Sequence, residues 1–196
     1  RIQAQTGADP AEAGREVDLS ISRLFSFAAW SDKYDGAVHR TPFRNVTLAF
    51  NEPIGVIGIA CPDDAPLLGT VTLLAAAISM GNTIVLIPSE QHPLSATDLY
   101  QVLDTSDVPG GVVNIVTGAR DELVKTLADH GDVDALWYFG SAEGSALVER
   151  ASVNNLKRTW VGYGMPLDLH SFNAQRQAEY LRQATQVKNI WVPYGA

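Results

Sequence analysis

The sequence predicts an α/β fold built on a parallel, doubly wound sheet. Three observations predict it. From Pro53 onward, short apolar segments alternate with longer segments of helical character. The first of these, Ile54 to Cys61, is almost continuously apolar, as expected of a strand covered on both faces. The joints between segments carry Pro, Gly and Asn where helices start and stop. Strand and helix alternating at this spacing requires right-handed crossovers, and hence parallel strands with helices on both sides.

Ahead of that region, residues 11–34 read as a helix. Val17, Ile21, Leu24, Phe25 and Ala28 recur at helical spacing and form one apolar face, and Gly36 ends it. Val46, Leu48 and Phe50 then alternate with Thr47 and Ala49, which suits a half-buried strand. After the strand at 54–61, Pro66 occupies a first helical position, and an apolar helix over Leu67–Met80 is closed by Gly81-Asn82. Thr83–Ile87 is the next strand and Leu94–Leu103 the next helix. Val108-Pro109-Gly110-Gly111 is a turn. Val112–Val116 is a strand and Asp121–Ala128 a helix. Ala135–Phe139 is a strand, Ser145–Ala151 lies in a helix, and Leu156–Val161 reads as one more strand. Residues 165–173 read as a connector. A short helix, Ala174–Ala184, and a strand, Val187–Val192, complete the pattern. That last strand needs a sheet to join, either its own or another subunit's.

Composition excludes several classes. The net charge is −8, from 14 basic and 22 acidic residues, with no basic stripe, which argues against nucleic acid and against an anionic membrane surface. No apolar run reaches the roughly 18 residues a bilayer span needs. The single cysteine, Cys61, excludes an internal disulfide and a cysteine zinc cluster, and a reducing cytoplasmic setting is the plain expectation. The chain begins at Arg1 rather than Met, so it reads as a portion of something longer, and the lack of a visible leader carries no weight.

The chemistry-bearing candidates are few. Neither G-x-G-x-x-G nor G-x-x-x-x-G-K-[ST] occurs. Gly140-Ser141, between a strand and a helix, is either a pyrophosphate site at a helix N-terminus or simply a helix cap. Glu90 follows a strand end, where an acid either accepts from a ribose or stands in solvent. Asp63 and Asp64 read as exposed loop acids rather than an acid–base pair or a metal site. His39, His92, His130 and His170 show no ligand spacing. Cys61 ends an apolar strand with no histidine near it in sequence, which is the setting of an inert buried thiol.

Several segments together carry a resemblance: Ala29-Trp30-Ser31-Asp32-Lys33-Tyr34, Asn51-Glu52-Pro53-Ile54-Gly55, Pro62-Asp63-Asp64-Ala65-Pro66, Gly81-Asn82-Thr83-Ile84-Val85, Ser89-Glu90-Gln91-His92-Pro93, Pro109-Gly110-Gly111-Val112-Val113-Asn114, Phe139-Gly140-Ser141 and Asn155-Leu156-Lys157-Arg158. In this order they resemble the aldehyde dehydrogenases over about residues 1–164. The resemblance implies a Rossmann-like domain that binds NAD without the usual glycine fingerprint. Glu90 matches the family's ribose acid, and Gly140 with Ser141 matches its pyrophosphate contact.

The same resemblance marks departures. The lysine that accompanies the ribose acid is Ile87 here. The oxyanion asparagine falls on Asp64, the general-base glutamate falls on Gly162, and no cysteine stands at the nucleophile position. Past Gly164 the connector leads directly to residues 174–196, which resemble the family's C-terminal oligomerisation segment. This pattern is similar to the incomplete second module of two-module, family-sixteen aldehyde dehydrogenases. It implies a module without catalytic or metal-ligating residues, with weak NAD binding at most. Its partner would be the catalytic module of the same polypeptide or a second copy, as in a dimer, reached through residues 186–193.

Overall fold

The computed structural model describes residues 1–194; Gly195 and Ala196, the end of the segment expected over 174–196, lie outside the described residues. A short helix, α1 (Ile2–Thr6), precedes α2 (Pro10–Ala28). Two strands follow, β1 (Ala37–His39) and β2 (Asn45–Pro53). The alternating region then runs β3 (Val56–Ala60), α3 (Pro66–Ser79), β4 (Thr83–Ile87), α4 (Leu94–Thr105), β5 (Val113–Ile115), α5 (Arg120–Asp129), β6 (Ala135–Tyr138), α6 (Ala142–Ala151) and β7 (Arg158–Val161). The chain closes with α7 (Ala174–Gln183) and β8 (Thr185–Pro193).

Five of the strands form a parallel sheet in the order β5-β4-β3-β6-β7. The chain starts at the central β3, moves outward through β4 and β5, then returns to β6 on the other side. The order therefore reverses between β3 and β6, the place where open α/β sheets bind ligands. Each face of the sheet is covered. Ile57, Ile59, Ile84, Leu86 and Trp137 pack on one side with α3, α7 and Phe27 of α2. Ala60, Ile87, Leu136 and Tyr138 pack on the other with Val124, Ala128 and Val148 of α5 and α6. This two-sided burial is what the unbroken apolar runs of these strands encode.

The remaining strands form a separate antiparallel sheet, β1-β2-β8. β8 lies along β2 for nine residues, from Asn45↔Pro193 to Pro53↔Thr185. The C-terminal strand thus pairs within its own chain along one of its two edges. The physical reason is reach: α7 docks on the five-stranded sheet through Tyr180, Leu181 and Ala184, all buried, and so delivers β8 alongside β2. On β2 it is Thr47 and Ala49 that are buried, while the larger Val46 and Phe50 are exposed.

The entry helix also differs from its sequence pattern. It ends at Ala28, and residues 30–33 form turns. Its buried positions are Ala13, Ser20, Arg23 and Phe27, whereas Val17, Ile21 and Phe25 are exposed. The face turned inward is fixed by Arg23. Its guanidinium donates to Leu169 O at 2.6 Å and lies 3.6 Å from the centre of the Phe172 ring, which pins the connector against the helix. The predicted apolar face instead borders a cleft of about 580 Å³ shared with α1, α3 and α4. No described helix is long and apolar enough to cross a membrane.

Candidate functional site

Five loops leave the C-terminal ends of the parallel strands, and four of them meet at the reversal between β3 and β6. The loop after β3 carries Asp63. The loop after β4 carries Ser89 and Glu90. The loop after β5 ends at Arg120, the first residue of α5. The loop after β6 carries Gly140 and Ser141, which caps α6.

Asp63 is the hub. Its Oδ1 accepts from Ser89 Oγ at 2.7 Å and from the Glu90 backbone N–H at 3.1 Å, and it forms an ion pair with Arg120 Nη2. Burial pushes this carboxyl up, but the Arg120 guanidinium and the Ser89 hydroxyl outweigh burial and hold it below the ordinary carboxylate range. This corrects the reading of Asp63 as an exposed loop acid. Its neighbour Asp64 is exposed, as expected.

Glu90 has an exposed side-chain setting, yet its Oε2 accepts from the backbone N–H of Arg120 at 3.0 Å. It therefore supplies the first turn of α5 with the acceptor that Ala119, at the N-cap, cannot offer. Ser141 caps α6: its Oγ accepts from Gly144 N at 3.0 Å. Its own N–H donates to Tyr138 Oη at 3.2 Å, and that phenol donates to Asp121 Oδ1 at 2.8 Å. Burial, with the nearby Asp121 carboxylate, keeps the Tyr138 phenol protonated above its ordinary range. Gly140 and Gly144 sit directly on the Tyr138 ring, so a Cβ at either would overlap the phenol.

Sequence reasoning placed Glu90, Gly140 and Ser141 in this region and overlooked Arg120, Ser89 and Tyr138. The partners of Arg120 are 57 and 30 residues away in sequence, beyond the range of any local spacing rule. Cys61, fully buried at the end of β3, has its thiol pushed up to about 12, chiefly by burial, so it is neutral and shielded. Gly162 follows β7 and offers no side chain. Among the described residues, no cluster of three or more His, Cys, Asp or Glu is placed to hold a metal ion.

This order of strands and loops is shared with known proteins. The family model for the aldehyde dehydrogenase family matches residues 1–165. The chain belongs to the aldehyde dehydrogenase family. It is 37% identical over 150 residues to cytosolic aldehyde dehydrogenase 1 of Mus musculus, covering 76% of this chain and 30% of that protein. It is 37% identical over 139 residues to the NADP/NAD-dependent aldehyde dehydrogenase PuuC of Escherichia coli, covering 70% of this chain and 28% of that one. Among solved structures, betaine aldehyde dehydrogenase from Staphylococcus aureus in complex with NAD+ superposes with a TM-score of 0.77 at 25% identity, over 81% of this chain and 32% of that chain. The chain thus spans about a third of the length of the aldehyde dehydrogenases it resembles. The family match ends at residue 165, so the segment that joins β7 to α7, α7 itself and β8 lie beyond it.

Proposed function

We propose that this chain is a non-catalytic aldehyde dehydrogenase module whose contribution is assembly, within a larger NAD-dependent aldehyde dehydrogenase or between copies of itself. The observation that carries the reading is the β1-β2-β8 sheet. β8 is its outermost strand, so one row of backbone N–H and C=O groups faces outward for nine residues. On one face Val46 lies opposite Val192, Leu48 opposite Ile190 and Phe50 opposite Lys188, and Val46, Phe50, Ile190 and Val192 are exposed. Burying a large apolar side chain contributes roughly 1.5–3 kcal/mol, so covering such a face supplies a strong drive to associate.

The chemistry supports the same reading. Covalent aldehyde oxidation needs a nucleophile, a base and a donor to the oxyanion. Here Cys61 is the sole cysteine, and the family resemblance implies Gly162 at the base position and the acid Asp64 at the oxyanion position.

The test uses the intact chain. Ile190→Lys with Val192→Lys keeps β8 in place and charges the exposed face. Light scattering should show an assembled species for the parent chain and a monomer for the double variant. A parent chain that is monomeric at high concentration, alone and mixed with a complete aldehyde dehydrogenase module, would overturn the assembly role. Steady NADH production from a panel of aldehydes by the purified chain would overturn the non-catalytic part.

A second reading has its own support: a regulatory module that holds NAD through Glu90 and Ser141. Relatives of the same fold have been solved with NAD bound. Calorimetric titration with NAD separates the two, and micromolar affinity would favour the second.

A further inference from the structure

We infer that the dinucleotide crevice of this chain is plugged from within by Arg120 and Tyr138, and that this plug, more than the missing lysine at position 87, excludes nucleotide. The crevice expected at the strand reversal lies between the loops after β3 and β6. Arg120 crosses it. Its backbone N–H is held by Glu90 and its guanidinium by Asp63, both on the β3 side, and the guanidinium extends from there toward the loop after β6. Its Nη1 lies 3.0 Å from where a Cβ on Gly140 would stand, so the guanidinium fills the space directly before α6. The residue is 7% exposed, and the Nε has no partner among the described residues. A buried guanidinium with an unused donor is held there by its ion pair, not by full satisfaction.

Tyr138 takes up part of what remains. A helix N-terminus attracts phosphate because its first N–H groups are free. In α6 the Ser141 N–H is taken by the Tyr138 phenol, and the Gly144 N–H is taken by the Ser141 hydroxyl. The phenol ring underlies Gly140 and Gly144, where glycines would otherwise let a ligand approach the backbone. Glu90, the acid matched to the ribose, has one of its oxygens, Oε2, engaged by the Arg120 N–H. The charge is unfavourable too. Asp63, Glu90 and Asp121 face one another across the crevice with Arg120 as the cation in the network, so a pyrophosphate meets three carboxylates and one guanidinium.

The plug stands apart from the assembly role. Mass in solution reads assembly, and nucleotide titration reads the plug, so either can fail alone. Calorimetry with NAD and with ADP-ribose should show no binding to the parent chain. Arg120→Ala should gain affinity for both by about tenfold or more, the size expected when one blocking contact is removed, and Arg120→Ala with Tyr138→Leu should gain further. Ile87→Lys, a charge at a buried position and so read only from a chain that stays folded, should gain nothing with the plug intact. Micromolar NAD binding by the parent chain would overturn the inference. So would a folded Arg120→Ala that stays silent while Ile87→Lys binds. Should Arg120→Ala not fold, Asp63→Asn serves instead: it frees the guanidinium without truncating it, and a folded Asp63→Asn chain with no gain counts against the plug.

Discussion

Asn82 binds Ala184 across 102 residues of sequence: its Nδ2 donates to Ala184 O at 2.8 Å. The same amide donates to Ala77 O at 2.9 Å, and its Oδ1 accepts from Ile54 N at 2.8 Å and Gly55 N at 3.0 Å. One buried side chain therefore joins the end of α3, the turn from β2 into β3, and the point where α7 passes into β8. Removing it strands several buried backbone groups, each costing about 1–3 kcal/mol. Asn82→Ala should lower stability by roughly 2–4 kcal/mol. It should also loosen β8 before the five-stranded sheet, which urea titration followed by hydrogen exchange at residues 185–193 would resolve.

Asp63 gives the crevice an acid dependence. Its carboxyl titrates lower in the folded chain than its ordinary value of 3.8, because Arg120 and Ser89 favour the charged form over the cost of burial. The folded state therefore binds fewer protons there than the unfolded state, and the stabilisation is present above that value and lost as pH falls below it. Asp63→Asn should lower stability at pH 6 yet flatten the fall between about pH 4 and pH 2. Urea midpoints across that range measure both effects; an unchanged acid slope would show that Asp63 carries none of it.

Cys61 should be silent toward thiol reagents. Burial keeps it neutral and out of reach, so an aromatic disulfide reagent at pH 8 should label none of the folded chain and one thiol per chain in denaturant. Rapid labelling of native protein would contradict the closed packing at the end of β3.

Gly144 tests the contact between α6 and Tyr138. A methyl there has to displace a buried phenol, so Gly144→Ala should cost about 1–3 kcal/mol, against the usual gain for alanine within a helix. Tyr138→Leu in the same chain should return part of that loss. If the double variant is no better than the single, the clash lies elsewhere.

The parallel sheet was legible because its strands are buried on both faces, and such strands announce themselves as apolar runs between helix stops. β4 was expected over Thr83–Ile87 and occupies those residues. Where burial is one-sided or decided by distant partners, the pattern misled. Val17 and Ile21 of α2 have helical spacing but line an open cleft, because Arg23 turns the other face toward the connector. β1 was too short and too exposed to leave a signature. At the crevice, Glu90 and Ser141 were visible through strand ends and a family resemblance. Arg120 was not, since nothing local in Ala119-Arg120-Asp121 marks an ion pair formed across the sheet.

The ladder between β2 and β8 fixes an order of events. Gln186 and Pro53, bonded near its start, lie 133 residues apart in sequence, so β2 emerges during synthesis long before its partner strand exists. Closing so long a loop is slow relative to helix formation, and the intervening sheet has to fold first to bring the ends together. Until then β2 is a receptive edge for any β8 nearby, including one from a neighbouring chain, and exchange of that strand yields a swapped pair with the same contacts. Refolding at rising protein concentration should therefore divert part of the chain into a strand-swapped pair, in a phase that disappears when residues 185–193 are absent and that is separate from association through the exposed face of the finished sheet.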